Sequence, residues 1–92
     1  MDKLTEIRKY SDPAEVAKIG KKLKLQIYVS TRKDKKYMVK IGGETIHFGA
    51  MGYEDFTKTH DIQKRKNFQT RNARWMKADK FTPAWLAYHI LW

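Results

Sequence analysis

Apolar and polar positions along this chain shift between a helical period and a period of two, and the shifts mark its elements. From Pro13 the apolar residues Val16, Ile19 and Leu23 recur at helical spacing, with Lys18, Lys21, Lys22 and Lys24 around them. Asp12 stands where an N-cap belongs, Pro13 at the first helical position, and Glu15 where a capping box is completed. These signals predict a helix over Pro13–Lys22, weakened by Gly20 by about 1 kcal/mol relative to alanine. The next segment alternates: Leu25, Ile27 and Val29 fall on one face, Gln26, Tyr28 and Ser30 on the other. That period of two predicts a half-buried strand over Leu25–Thr31.

Alternation resumes at Lys36–Ile41 and again at Glu44–Phe48, with Gly42-Gly43 between them. Two glycines supply the positive φ of a two-residue hairpin turn. Closing the hairpin there pairs Ile41 with Glu44, Val39 with Ile46 and Tyr37 with Phe48. The apolar residues then share one face, and Met38, Lys40, Thr45 and His47 the other. Gly49 and Gly52 read as turn residues, and "YEDFT" as a short helical turn in which Asp55 caps or hydrogen-bonds. The tract Gly42–Thr57 holds four of the five glycines and no Lys or Arg. It reads as a rigid joint that aims the next helix off the hairpin.

That next helix is predicted over Asp61–Lys77. On a helical wheel Lys64, Lys66, Arg71, Arg74 and Lys77 share one arc, while Ile62, Phe68, Ala73, Trp75 and Met76 share the other. Arg65 falls on the apolar side, where its stem can snorkel. A last helix opens with Thr82 as N-cap, Pro83 at N1 and a Phe81–Leu86 staple, and is apolar almost all round. Residues 1–10 read as a mixed-charge, frayed lead. The fold class expected is α+β: one domain over residues 1–92, a small three-stranded antiparallel sheet packed by an N-terminal helix and two C-terminal helices.

Composition narrows what such a domain does. No cysteine is present, which excludes disulfides and thiolate metal sites. No apolar run reaches the ~18–20 residues of a membrane span, so no membrane partner is expected, and the first ten residues carry no secretory h-region. Twenty Lys+Arg against ten Asp+Glu give a net charge of +10, which favours polyanions. Besides the basic helix, Lys18–Lys40 holds nine Lys/Arg and only Asp34 as an acid. Lys64, Lys66, Arg71, Arg74 and Lys77, with Lys21, Lys22, Arg32, Lys33 and Lys35, are therefore the expected phosphate contacts. Tyr28, Tyr37, Tyr53 and Trp75 are aromatics able to stack on bases. Tyr37, Phe48, Phe56, Phe68, Trp75 and Trp85 are nevertheless expected in the core, leaving Tyr28 exposed.

Catalytic chemistry has little to stand on. His47, Asp55, His60 and Asp61, with Glu54, are the possible acid–base or metal set, but His60-Asp61 is not a ligand spacing, and no phosphate loop, nucleophile elbow or zinc motif occurs. No catalytic residue, metal or cofactor is assigned, and Asp61 reads as an acid favourable to the dipole of the basic helix. The last helix suggests association instead. With one face in the core, its other face would be uncovered, so a homo-oligomer is expected, with Trp85, Tyr88, His89 and Trp92 at the interface.

The run "KYMV…IHFGAMGYEDFT…HD…KR…F…R" with the closing "LW" resembles a family of small basic proteins of unknown function from large nucleocytoplasmic DNA viruses, such as chlorella-virus and mimivirus relatives. The resemblance covers about residues 36–92. It rests on His47-Phe48-Gly49, Gly52-Tyr53, Asp55, Thr57 and His60-Asp61 in combination. Thr59 and Asn72 stand where members often carry histidine, which further weakens a metal site. The resemblance implies an origin and no activity: a viral product of the host cytoplasm or nucleus, packaged in the virion. Charge and resemblance together give a non-enzymatic, largely sequence-independent nucleic-acid-binding protein, with DNA ahead of RNA, acting as a virion DNA-condensing or packaging factor. The alternatives are a minor capsid or assembly protein that meets other virion proteins and, third, a metal-dependent nuclease.

Overall fold

Asp12 caps the first long helix as its position in the sequence demands, its carboxylate accepting from the Ala14 and Glu15 amides. The structure, a computed structural model, describes residues 2–92. Its elements are α1 (Lys3–Ile7), α2 (Pro13–Lys22), β1 (Ile27–Val29), β2 (Lys35–Ile41), β3 (Glu44–Ala50), α3 (Phe56–Thr59), α4 (Ile62–Arg71), a 3-10 segment (Ala73–Lys77), and α5 (Pro83–Leu86), which runs on as a π-helix over Ala87–Leu91. The strands form one antiparallel sheet in the order β1-β2-β3. The chain is therefore α+β, with helices from both ends packed on a three-stranded sheet.

The hairpin has the register its apolar pattern requires, pairing Tyr37 with Phe48, Val39 with Ile46 and Ile41 with Glu44. Gly42 and Gly43 make the turn at φ 57° and 82°, the left-handed values that glycine adopts without strain. Tyr37, Val39 and Phe48 point into a core completed by Ile7, Val16, Trp85, Leu86, Ile90 and Leu91. Met38, on the opposite face, is also buried, flanked in register by Tyr28 and His47.

Four expectations change. Residues 3–7 are not a frayed lead: Asp2 caps α1 through the Thr5 amide, Ile7 is fully buried, and Lys3 Nζ donates to the Ser30 and Arg32 carbonyls at the end of β1. β1 is shorter than Leu25–Thr31. The Leu25 amide closes α2 on the Gly20 carbonyl (2.8 Å) instead of joining the ladder, after Lys24 turns through φ 60°. The basic helix breaks at Asn72, whose backbone and side-chain N–H groups both bond the Phe68 carbonyl (2.9 and 3.1 Å), and the chain continues as a 3-10 turn.

The fourth concerns the last helix, which has no uncovered apolar side. Trp85, Leu86, Ile90 and Leu91 are buried within the chain, and Tyr88, His89 and Trp92 are half-buried. Trp85 meets Phe81 edge-on and lies against His89. His89 faces the Met76 carbonyl at 3.0 Å. The sheet, α2 and the 3-10 segment wrap the helix, so Trp85 is a core residue and not an interface residue. The exposed patch that led to the homo-oligomer expectation is absent among the described residues. No helix of the described residues is long and apolar enough to cross a membrane.

Candidate nucleic-acid interface

The glycine-rich joint after the hairpin is built on an ion pair. Lys36 and Asp55 are 2% and 1% exposed, and their charges meet at 3.0 Å. Lys36 Nζ also donates to the Tyr53 carbonyl. The other carboxylate oxygen of Asp55 caps α3, accepting from the amide and hydroxyl of Thr57. The Thr57 hydroxyl continues to Ser11 (3.1 Å) and accepts from the Asp12 amide, and the Tyr37 hydroxyl donates to Ser11 at 2.7 Å. Burial pushes the Lys36 ammonium below its ordinary range, an effect Asp55 partly offsets. Burial likewise pushes the Tyr37 phenol well above its ordinary range. Gly49 fits this joint for two reasons: its φ is 83°, and a Cβ there would lie 2.9 Å from Leu91 Cδ1. Asp55 was legible as a cap. Its buried lysine partner was not, because Lys36 lies in a run of polar residues and looks like one more surface cation.

The joint sets α4 across the end of the hairpin, and Asp61 starts that helix by accepting from the Lys64 amide at 3.1 Å. A groove of ≈ 720 Å³ opens between them. Its α4 wall is Lys64, Asn67, Phe68 and Arg71, which are neighbours at i, i+3, i+4 and i+7 on one helical face. The hairpin contributes Lys35, Lys36, Gly49 and Ala50, the joint Tyr53 and Glu54, and the far wall Trp75, Pro83, Ala84, Ala87, Leu91 and Trp92. Phe68 stacks on Trp92 at 4.5 Å and 8°, and meets Trp75 edge-on at 5.8 Å. Arg65 Nε and Gln69 Nε2 both donate to the Trp92 backbone oxygen, and the Arg65 guanidinium lies over Phe56 at 4.6 Å. The expected snorkelling of Arg65 thus takes the form of a tie between α4 and the last residue.

Sequence reasoning put five cations on one helical arc, and the break at Asn72 divides them. Lys64 and Arg71 line the groove, Lys66 lies elsewhere on α4, and Arg74 and Lys77 ride on the 3-10 segment outside the groove. All five are exposed. From Ile62 to Ala78 there are six cations and no acid. Among the described residues only Lys64 of these six has a side-chain carboxylate within reach, that of Glu54 at 3.7 Å, and Arg65 is held by the Trp92 oxygen. Of the second cluster, Lys35 joins the groove rim, while Lys21 and Lys22 end α2. Arg32 and Lys33 lie in the β1–β2 loop, where Arg32 pairs with Asp34 at 3.1 Å. Tyr28 is exposed as expected, but Tyr53, at 73%, is the most exposed aromatic. Phe56, Phe68 and Trp75 are only half-buried.

The possible catalytic set is dispersed into structural contacts. His47 Nδ1 lies 2.7 Å from the Ser30 hydroxyl, His60 Nε2 pairs with Glu15 at 2.7 Å, and Asp55 and Asp61 cap helices. No cluster of three or more metal-ligating side chains occurs among the described residues.

The sequence model of one family, described as a family of unknown function (DUF5754), matches residues 25–72. The match begins at Leu25, before the Lys36 start that the motifs suggested, and ends at Asn72 where α4 breaks. Neither a curated protein nor a solved structure matches the chain.

Proposed function

We propose a function for a chain that belongs to this family of unknown function (DUF5754): non-enzymatic, largely sequence-independent binding of nucleic acid, DNA ahead of RNA. One observation carries the reading. The stretch from Ile62 to Ala78 holds six cations and no acid; Lys64 meets Glu54 and Arg65 is tied to the Trp92 oxygen, while Lys66, Arg71, Arg74 and Lys77 have no carboxylate partner among the described residues. Folding a domain does not require such a surface. It raises self-repulsion, and a polyanion relieves it by direct contact and counterion release. The contacts assigned are Lys64, Lys66, Arg71, Arg74 and Lys77, with Lys35 beside them. The viral resemblance makes the genome of a large DNA virus the proposed polyanion, met in the host cell and condensed or packaged into the virion.

The test is the salt dependence of binding. Wild-type protein is titrated against labelled duplexes of unrelated sequence between about 50 and 200 mM salt. Affinity should fall steeply with salt and vary little with sequence. Replacing Arg71 and Arg74 together by Gln should flatten the slope by about two units, since each phosphate contact contributes roughly one. No binding at 50 mM salt sinks the proposal, and an unchanged slope removes these two residues from it.

A further inference from the structure

The groove beside the cationic strip has a lining that phosphate contact alone does not need. A surface that only neutralises phosphates can be flat and polar. Here a concavity of ≈ 720 Å³, in the size range of small-ligand clefts, about 300–1,000 Å³, is walled by Phe68, Trp75 and Trp92. Tyr53 stands at its lip with 73% of its surface in solvent. An exposed tyrosine beside aromatic walls offers a ring face to a flat partner. The charge at the rim selects which flat partner. Lys35, Lys64 and Arg71 surround the opening, and Lys64 and Arg71, seven residues apart, are spaced about 10 Å along the helix axis. Glu54 is the one acid in the lining, and Lys64 meets it at 3.7 Å. A planar group joined to anions on either side fits this arrangement, and that is a nucleotide within a strand.

From this juxtaposition we infer that the groove takes an unstacked base of single-stranded nucleic acid, with Tyr53 stacking on the base and Lys35, Lys64 and Arg71 on the flanking phosphates. The inference rests on the nucleic-acid reading above and goes beyond it by naming the strand state. In a duplex the base faces are covered by neighbouring pairs, so an aromatic platform finds nothing to stack on. The cationic strip serves either form of nucleic acid, while the groove serves only the single strand.

The experiment compares labelled dT15, U15 and a 15-base-pair duplex by fluorescence anisotropy at one salt concentration, for wild type, Tyr53→Ala and Tyr53→Phe. Tyr53 is too exposed for its loss to unfold the domain, and far-UV circular dichroism checks that. Wild type should prefer the single strands. Tyr53→Ala should lose about tenfold on them, the order expected for one base–aromatic stack, and Tyr53→Phe should keep the wild-type affinity. None of the variants should change duplex binding. A loss on dT15 alone or on U15 alone supports the inference and tells which of the two strands the groove takes. If all three probes bind but Tyr53→Ala weakens none, or weakens the duplex equally, the groove inference falls and the phosphate-binding function stands. If no probe binds, both fall.

Discussion

Removing one charge from the Lys36–Asp55 pair should destabilise this domain severely, and removing both should cost much less. Each partner is at most 2% exposed, so Asp55→Asn leaves an ammonium in a dry joint with only the Tyr53 carbonyl for company. Lys36→Met leaves a carboxylate whose remaining partners are both on Thr57. Breaking a buried pair from one side costs about 3–5 kcal/mol, and a 92-residue domain has roughly 5–14 kcal/mol in all. Either single variant should therefore lose about a fifth or more of the stability. The amide of Asp55→Asn can keep the cap of α3, and the methionine keeps the lysine stem against Gly49. The double variant thus loses a salt bridge but buries no charge, and it should recover about 2 kcal/mol or more relative to the sum of the singles. Urea unfolding at pH 7, followed by far-UV circular dichroism, measures all four proteins. Single-variant losses below about 1 kcal/mol, or a double variant additive within about 0.5 kcal/mol, would show that water reaches the pair and that the joint is not closed as described.

Three more measurements probe the same geometry. Gly49→Ala should cost more than Gly42→Ala: both pay roughly 1–2 kcal/mol for a left-handed residue, but only at Gly49 does the new methyl meet Leu91, and equal melting temperatures would contradict this. Ile7→Ala should cost about 2–5 kcal/mol, because Ile7 is in the core; a loss under about 1 kcal/mol would return the first residues to the frayed lead. Stability should fall with pH above 10.5, because the Tyr37 phenol stays protonated in the folded protein while the unfolded chain ionises it above its ordinary value of 10.0. The native state then holds the extra proton, and the slope approaches about −1.4 kcal/mol per pH unit. Lys36 acts with the opposite sign, but only below 10.5, where the unfolded chain still binds the proton that the buried amine has shed. Tyr37→Phe should remove the fall above 10.5.

The sheet was legible because turn chemistry and apolar alternation agreed on one register, and Asp12, Asp55 and Thr82 occupied capping positions that only local spacing decides; Asp61, read as an acid inside the first turn, is instead the N-cap of α4. Contacts distant in sequence were hidden. A helical wheel carries phase past Asn72 without knowing that two N–H groups compete for the Phe68 carbonyl, so Arg74 and Lys77 ride on a 3-10 segment and not on the helix that carries Lys64 and Arg71. The strip of unpaired charge survived this error because it depends on composition. The groove did not come into view at all. It exists because Trp75 and Trp92 pack on Phe68 while Tyr53 lines the same concavity from the joint, and nothing in the local pattern of either stretch signals the other.

The core has a further consequence at the ribosome. The apolar face of the hairpin is complete once Phe48 has been made, yet Leu86, Ile90 and Leu91, which cover much of it, come about forty residues later. At roughly 5–20 residues per second, that face waits about 2–8 seconds for its lid. Until then the cover available is what lies upstream, Ile7 of α1 and Val16 of α2 with the partly buried Ile19, Leu25 and Ile27, so during synthesis the sheet's first shield is its N-terminal side.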